Sequence, residues 1–452
     1  MAEDCRPGRW AKDLDLLVCL GLWGFSLHIH WPGFMTVDSI TQLTQAQLGQ
    51  YGDWHPAVMS LVWRWLNRLH FGPGSMLVFH NLLFFGALAC LARATRWGPG
   101  GRSLLLVLAS AVPSVFTQLG VIWKDTGLAA SYFLSFSWLV LARGRGWPVL
   151  PVLLPLFYGT AVRHNSLPAL VPLALLFVDA AAPGLKSSGR KLAAALALAL
   201  CLWGLASWVN RRLADGHREH LGVQLVFFDL AGISVCRDTL LYPPGLNAEE
   251  VTLAKVRERY HPGDWTPPPN VCFSPRIGLP GFGSAAERFW LRQVLRHPAC
   301  YLRHRLSVFI YALNLDGGDP TIPICCRVFP NPWGIRKARS PAFERVYGLL
   351  WSIRNSLWFH VYPYFLACGL ALILALRRRD LALGCLSASG FLYCLGYAVV
   401  GVGSDDFRLS YWTVLASVAS AVWLASSLPD WGRLLRQARC KLISCLGERD
   451  GA

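Results

Sequence analysis

About ten windows of roughly 15–22 mostly apolar residues recur along this chain, beginning near Leu14, Ser75, Ser103, Thr126, Trp147, Ser166, Lys191, Leu357, Leu381 and Leu409. A helix of about 20 apolar residues spans the ~30 Å hydrocarbon core of a bilayer. The expected fold class is therefore an all-α polytopic membrane protein with about 10 transmembrane helices. Charge supports this: only 15% of the 452 residues are charged, against about 25% in soluble domains, while 54% are hydrophobic. The first window, 14–31, runs into aromatic and polar residues rather than a small-residue cleavage site. It reads as a first span, not a signal peptide.

Orientation follows from the short basic tracts. These are Arg6, Arg9 and Lys12; Arg93, Arg96 and Arg102; Arg143 and Arg145; Lys186, Arg190 and Lys191; Arg377, Arg378 and Arg379; and Arg433, Arg436, Arg439 and Lys441. With about ten spans all of them fall on one side, which the positive-inside rule makes cytoplasmic. Both termini are then cytoplasmic. The count requires that 57–69 does not cross: it is short, contains Arg64, Asn67 and Arg68, and ends in Phe71-Gly72-Pro73-Gly74, so it reads as a helix lying at the outer interface.

Three regions are expected: a bundle over 1–209 (spans 1–7, first outer loop 35–74), a large extracytoplasmic domain of mixed structure over 210–355, and spans 8–10 with a tail over 356–452. The long outer segment is exempt from the positive-inside count. No internal repeat or low-complexity linker is visible. The net charge of +17 is explained by orientation, so no nucleic-acid partner is expected. The 14 cysteines show no zinc-type spacing.

The topology gathers the unusual polar residues on one face. Asp38, Asp53 and His55 lie in the first outer loop, within the polar stretch 37–60; Trp123-Lys124-Asp125, Arg163-His164-Asn165 and Ser404-Asp405-Asp406-Phe407-Arg408 lie at three later outer turns. Charges at membrane depth that cluster on one side point to function. Plainer readings exist for each: Asp38 as N-cap of a helix over 39–48, Asp125 as cap of the fourth span, Lys124 and Arg163 snorkelling to headgroups. Carboxylates and cations together at a bilayer surface suit transfer from an anionic lipid to a hydroxyl or amine. A carboxylate takes the acceptor's proton and fixed Lys or Arg holds the departing phosphate. Neither a P-loop nor a GxGxxG is present.

With Asp38 early in the first outer loop and Trp54-His55-Pro56-Ala57 following it, the chain resembles the GT-C superfamily of polytopic glycosyltransferases. Those enzymes use polyprenyl-phosphate sugars at the outer face and carry an early acidic residue and, in some members, a His-Pro-Pro or Lys-Pro-Pro tripeptide. Protein O-mannosyltransferases and lipid A aminoarabinose transferases are among the members it resembles. Ala57 replaces the second proline, and the large outer segment sits between spans 7 and 8 rather than near the C-terminus. The resemblance implies that Asp38 is the base or orients the acceptor, that displacement inverts the sugar, and that Lys124, Arg163 and Arg408 hold the phosphate. Asp125 and His55 would position acceptor or sugar hydroxyls, with His164 and Asn165 beside the substrate. Asp405 and Asp406 either bind a divalent cation, Mg²⁺ or Mn²⁺, or pair with Arg408, the favoured alternative; no other cofactor is required. The implied partners are a polyprenyl-phosphate-linked sugar, the lipid bilayer and an envelope glycan, lipid or protein acceptor, at an inner (plasma) membrane with a periplasmic active face.

In the outer segment, 287–296 reads as an amphipathic helix with Arg288, Arg292 and Arg296 on one face, which either meets lipid phosphates or an anionic acceptor or is merely solvated. Arg303-His304-Arg305 follows. Cys236, Cys272, Cys300, Cys325 and Cys326 are candidates for disulfides in an oxidising compartment, and the run 263–269 reads as a stiff loop. Three rival classes remain: a transporter or flippase of a lipid-linked or anionic substrate, an O-antigen ligase-like transferase that leans on Arg303 and His304, and a scaffold indifferent to Asp38.

Overall fold

A computed structural model describes residues 13–214, 221–243, 251–264, 282–318, 322–401, 404 and 406–427. Among these residues the chain is helical, and extended pairing is limited to isolated bridges Phe34 with Val121, Met35 with Val328, and Tyr51 with Ala214. The described part of the outer segment is therefore helices and irregular connections, without the strands that a mixed domain implied.

A helix stands at each apolar window: α1 (Leu14–His30), α4 (Pro73–Ala94), α5 (Pro99–Ser110) with α6 (Pro113–Leu119), α7 (Lys124–Arg145), α8 (Leu153–Ala161), α9 (Leu167–Ala181), α10 (Ser188–Leu213), α16 (Tyr362–Arg378), α17 (Leu381–Leu395) and α19 (Tyr411–Ala425). By length and composition, three described helices suffice to cross a membrane: Pro73–Ala94, Ser188–Leu213 and the continuous stretch Leu381–Val400, which includes α18 (Tyr397–Val400). The third window is not straight. Pro113 lacks an N–H and drives Val112 into an extended conformation, so α5 and α6 meet at 74°.

Two helices fill the first outer loop, α2 (Val37–Leu48) and α3 (Ala57–Leu66). Gly49, at φ +73, closes α2. Pro56 starts α3, which ends at Leu66, far too short to cross. The plainer readings of the two acids both fail at this level. The N-cap of α2 is Thr36 and that of α7 is Trp123, so Asp38 and Asp125 sit inside first turns.

The core is formed where α4 and α7 pack side by side, with α9, α17 and α19 closing over them. Large side chains meet glycines here: Gly159 lies against the Tyr132 ring, and an added Cβ would come within 2.7 Å of it. At the end of the bundle distal to Lys124, Asp15 is buried between Arg93 and Arg102 at 3.1 and 3.4 Å, and Asp179 meets Arg143 at 2.7 Å. The 22 residues of α7 hold Lys124 and Arg143 about 30 Å apart.

The outer segment contributes α11 (Leu221–Arg237), α12 (Leu253–Arg259), α13 (Phe282–Arg296), α14 (Pro298–Ala312) and α15 (Pro341–Ser352). Val223, Phe227, Leu230, Val256 and Ala286 form a separate apolar cluster. Cys236 is joined to Cys300, while Cys325 and Cys326 are free thiols; Cys272 and residues 265–269 of the proline-rich run lie outside the described residues. Arg288, Arg292 and Arg296 are all exposed. His304 and Arg305 are not: both are buried.

Candidate active site

The first loop is threaded between two other segments, and this places Asp38. Phe34 N donates to Gly120 O at 2.8 Å and Ile122 N donates to Phe34 O at 3.0 Å; on the other side Phe329 N donates to Met35 O at 3.0 Å. Ser39 Oγ then donates to Ile122 O at 2.6 Å, and Trp123 Nε1 donates to Thr36 Oγ1 at 2.9 Å. The first turns of α2 and α7 are thereby locked together, which brings Asp38 to Lys124.

Around them the four separated polar groups converge. Arg408 Nη1 donates to Asp38 Oδ2 at 2.8 Å, its Nε lies 2.7 Å from Asp406 Oδ2, and its guanidinium stacks 4.7 Å over the Trp123 ring. Lys124 Nζ lies 2.9 Å from His55 Nδ1, and His55 Nε2 lies 3.9 Å from Asp38 Oδ1. Arg163 Nη1 pairs with Asp125 Oδ1 at 3.1 Å, and its Nη2 donates to the Tyr397 hydroxyl at 2.7 Å, which in turn donates to Leu409 O at 2.9 Å. Asp38, His55, Lys124, Asp125, Arg163, Asp406 and Arg408 thus form one polar cluster.

Electrostatics differentiate its members. Burial and the adjacent Lys124 charge push His55 down to about 3, so the ring is neutral; its Nδ1 accepts from Lys124 and its proton resides on Nε2, facing Asp38. Burial alone would raise Asp38, but the Arg408 and Lys124 charges outweigh it and hold the carboxyl below its ordinary range. Burial raises Asp406 to about 6 despite Arg408. Buried atoms of Asp125, Arg163 and Arg408 lack hydrogen-bond partners among the described residues, and two further atoms at the mouth of the cluster stand apart. Among the described residues no donor reaches Asp38 Oδ1, and no carboxylate lies within 4 Å of Lys124 Nζ. Arg163 and Arg408, by contrast, are each committed to carboxylates.

A cavity of about 400 Å³ adjoins the cluster through His55, lined also by Asp53, His164, Trp203, Ser207, Asn210 and Arg211. Asn210 fixes its wall, accepting from Val58 N at 3.0 Å and donating to Ala161 O at 2.8 Å. His164 therefore faces this cavity rather than the ion cluster, and Asn165 bonds to Tyr397. A divalent cation does not fit the acids that are described. Asp406 directs Oδ1 to Arg408 N at 3.2 Å and Oδ2 to Arg408 Nε; Asp405 lies outside the described residues, and no group of three or more potential ligands occurs among them.

A second buried network was not foreseen. Asp229 on α11 is fully buried and takes Trp290 Nε1 at 2.8 Å, His304 Nε2 at 3.0 Å and Arg305; His304 Nδ1 meets the Tyr260 hydroxyl at 2.6 Å. Arg305 Nη1 donates to Gly401 O at 2.5 Å, tying the outer segment to the residue that ends α18. His304 and Arg305 stood out in the sequence as part of a basic cluster, and their buried partner was signalled by a lone acid in the apolar run LVFFDLAG. Tyr397 and Asn210 carried none, since an aromatic or amide near a span end is ordinary.

No protein-family model matches the chain, and no curated protein matches it. Among solved structures it is similar to a crystal structure of ArnT from Cupriavidus metallidurans bound to undecaprenyl phosphate, at 16% identity, with a TM-score of 0.32, over 89% of this chain and 77% of that one. At that score and identity the likeness fixes neither fold nor activity, so the functional reading rests on the site.

Proposed function

We propose that the protein is an integral membrane glycosyltransferase that moves a sugar from a polyprenyl-phosphate donor to a hydroxyl or amine of an envelope glycolipid, polysaccharide or protein, at the membrane face opposite the short basic tracts. One observation carries this reading: a carboxylate oxygen without a donor, Asp38 Oδ1, and a cation without a carboxylate, Lys124, face a shared neutral histidine beside a cavity of about 400 Å³. A general base and an anion holder are the two groups that displacement of a phosphate from an anomeric carbon needs.

In this mechanism the acceptor oxygen attacks the anomeric carbon from the face opposite the phosphate. The bond from carbon to phosphate oxygen breaks, its electron pair leaves with the phosphate, and Asp38 Oδ1 receives the acceptor's proton; the configuration inverts. A carboxylate held below its ordinary range is a weak base, which suits a reaction where bond breaking leads and the acceptor proton becomes acidic only as the new bond forms. Lys124 neutralises the departing phosphate. Arg163 and Arg408 act differently from the first expectation: committed to Asp125, Asp406 and Asp38, they hold the carboxylates in place. His55 Nε2–H lies on the acceptor side, and the cavity walls, Asp53 and His164 among them, receive the sugar.

The test is transfer of radiolabelled sugar by the purified protein from polyprenyl-phosphate donors to a membrane extract. Lys124→Met should raise KM for the donor and lower kcat by about 10²-fold or more, as loss of one transition-state charge contact does. Absence of transfer from every donor, with substrate-dependent flux in liposomes, would favour the transporter instead.

A further inference from the structure

We propose that the groove between α9, α10, α16 and α17, at the helix ends remote from the candidate active site, binds an anionic glycerophospholipid, with an acyl chain along the groove and the phosphate on Arg379. The inference does not depend on the transferase reading. The groove encloses about 490 Å³ and is walled by Val171, Pro172, Leu175, Leu192, Leu376 and Ala388, with Arg379 and Asp380 at its mouth. Its walls are apolar, and Leu376 is 71% exposed, which is the surface an acyl chain covers.

Charge selects the headgroup. Arg379, the arginine of the 377–379 run that lines the groove, is exposed, and the neighbouring acid does not neutralise it. Asp380 spends Oδ1 capping α17 through Leu383 N at 3.0 Å and Oδ2 on Trp423 Nε1 at 2.9 Å. Arg379 itself makes no ion pair among the described residues. It also occupies the left-handed cap of α16 at φ +55, a position where glycine is the unstrained choice. An arginine kept there at a conformational cost, beside an apolar groove on the side that carries the basic tracts, matches a basic lipid pocket between spanning helices.

The experiment is titration of phosphatidylglycerol or phosphatidylcholine onto the delipidated full-length protein, with bound lipid counted by native mass spectrometry. Both lipids carry a phosphate, but only phosphatidylglycerol has a net negative charge, since choline's ammonium offsets the other; wild type should prefer phosphatidylglycerol by about five-fold, the discrimination one arginine near an anionic headgroup supplies. Arg379→Gly should abolish the preference while leaving the melting temperature unchanged or higher, since glycine relieves the left-handed backbone. Gly384→Leu should reduce retention of both lipids: a Cβ there makes only an ordinary 3.6 Å contact with Ala375, and the longer side chain fills the groove. Equal affinity of wild type for the two lipids, or an unchanged preference in Arg379→Gly, would overturn the proposal. Undiminished retention in a folded Gly384→Leu protein would overturn the groove as the site.

Discussion

Arg408→Met keeps most of the side-chain stem and removes the guanidinium that joins Asp38, Asp406 and Trp123. The Asp406 side chain is 9% exposed, and stranding a buried carboxylate by deleting its partner destabilises by about 3–5 kcal/mol. The Asp38 side chain is 28% exposed, so solvent screens its loss to about 1 kcal/mol or less; the stack on Trp123 contributes about 0.5–1 kcal/mol. A limit applies, because an unpaired Asp406 can instead take a proton, at a cost of ~1.4 kcal/mol for each pH unit above the ordinary value of 3.8. The expected loss is therefore about 4 kcal/mol at pH 8 and smaller at pH 5. Asp406→Asn combined with Arg408→Met should recover about 1–3 kcal/mol of it. Reversible unfolding in mixed detergent micelles, followed by tryptophan fluorescence, reads all three proteins. A single-mutant loss under about 1 kcal/mol, or a double mutant no more stable than the single, would refute the claim that Arg408 is held by a buried carboxylate.

Asp406 also sets a pH dependence of opposite sign for activity and stability. Its folded pKa, about 6, lies above the ordinary 3.8, so the stability it contributes is fully present below that ordinary value and is lost as pH rises through about 6. Activity should instead fall as pH drops through about 6, because protonation releases Arg408; Asp406→Asn should remove this acid limb in a pH profile of transfer. Gly232→Ala places a Cβ 2.2 Å from His304 Nδ1, so it should break the Asp229 network and destabilise by about 1–3 kcal/mol. Gly204→Ala, where a Cβ meets nothing within 4 Å, serves as the control in the same unfolding assay.

What the sequence revealed followed from periodicity and charge. Apolar windows located the helices because burial in lipid demands uninterrupted apolar surface, and the segment 57–69 holds only the short helix Ala57–Leu66 because Pro56 and the Gly72-Pro73 pair bound it. Polar residues at the ends of these windows were recognisable as a group because charges near a bilayer are rare. Their pairing was not recognisable. Whether Arg408 meets Asp38 or a phosphate depends on a threading of residues 34–35 between 120–122 and 327–329, a contact across nearly 300 residues. The Asp229 network was hidden for the same reason, its acid lying 75 residues from His304 and farther still from Arg305. The bend at Pro113 was legible in principle, since a proline inside an apolar window breaks the helix, but the continuous apolar run masked it.

The most direct test of the central claim compares sugar transfer by wild type and Asp38→Asn, with folding and donor-lipid binding measured on the same preparations. The account predicts that Asn, which keeps the shape and a contact to Arg408 but cannot take a proton, binds the donor and loses at least about 10²-fold in kcat. Equal turnover by the two proteins would remove Asp38 from the chemistry and contradict the mechanism.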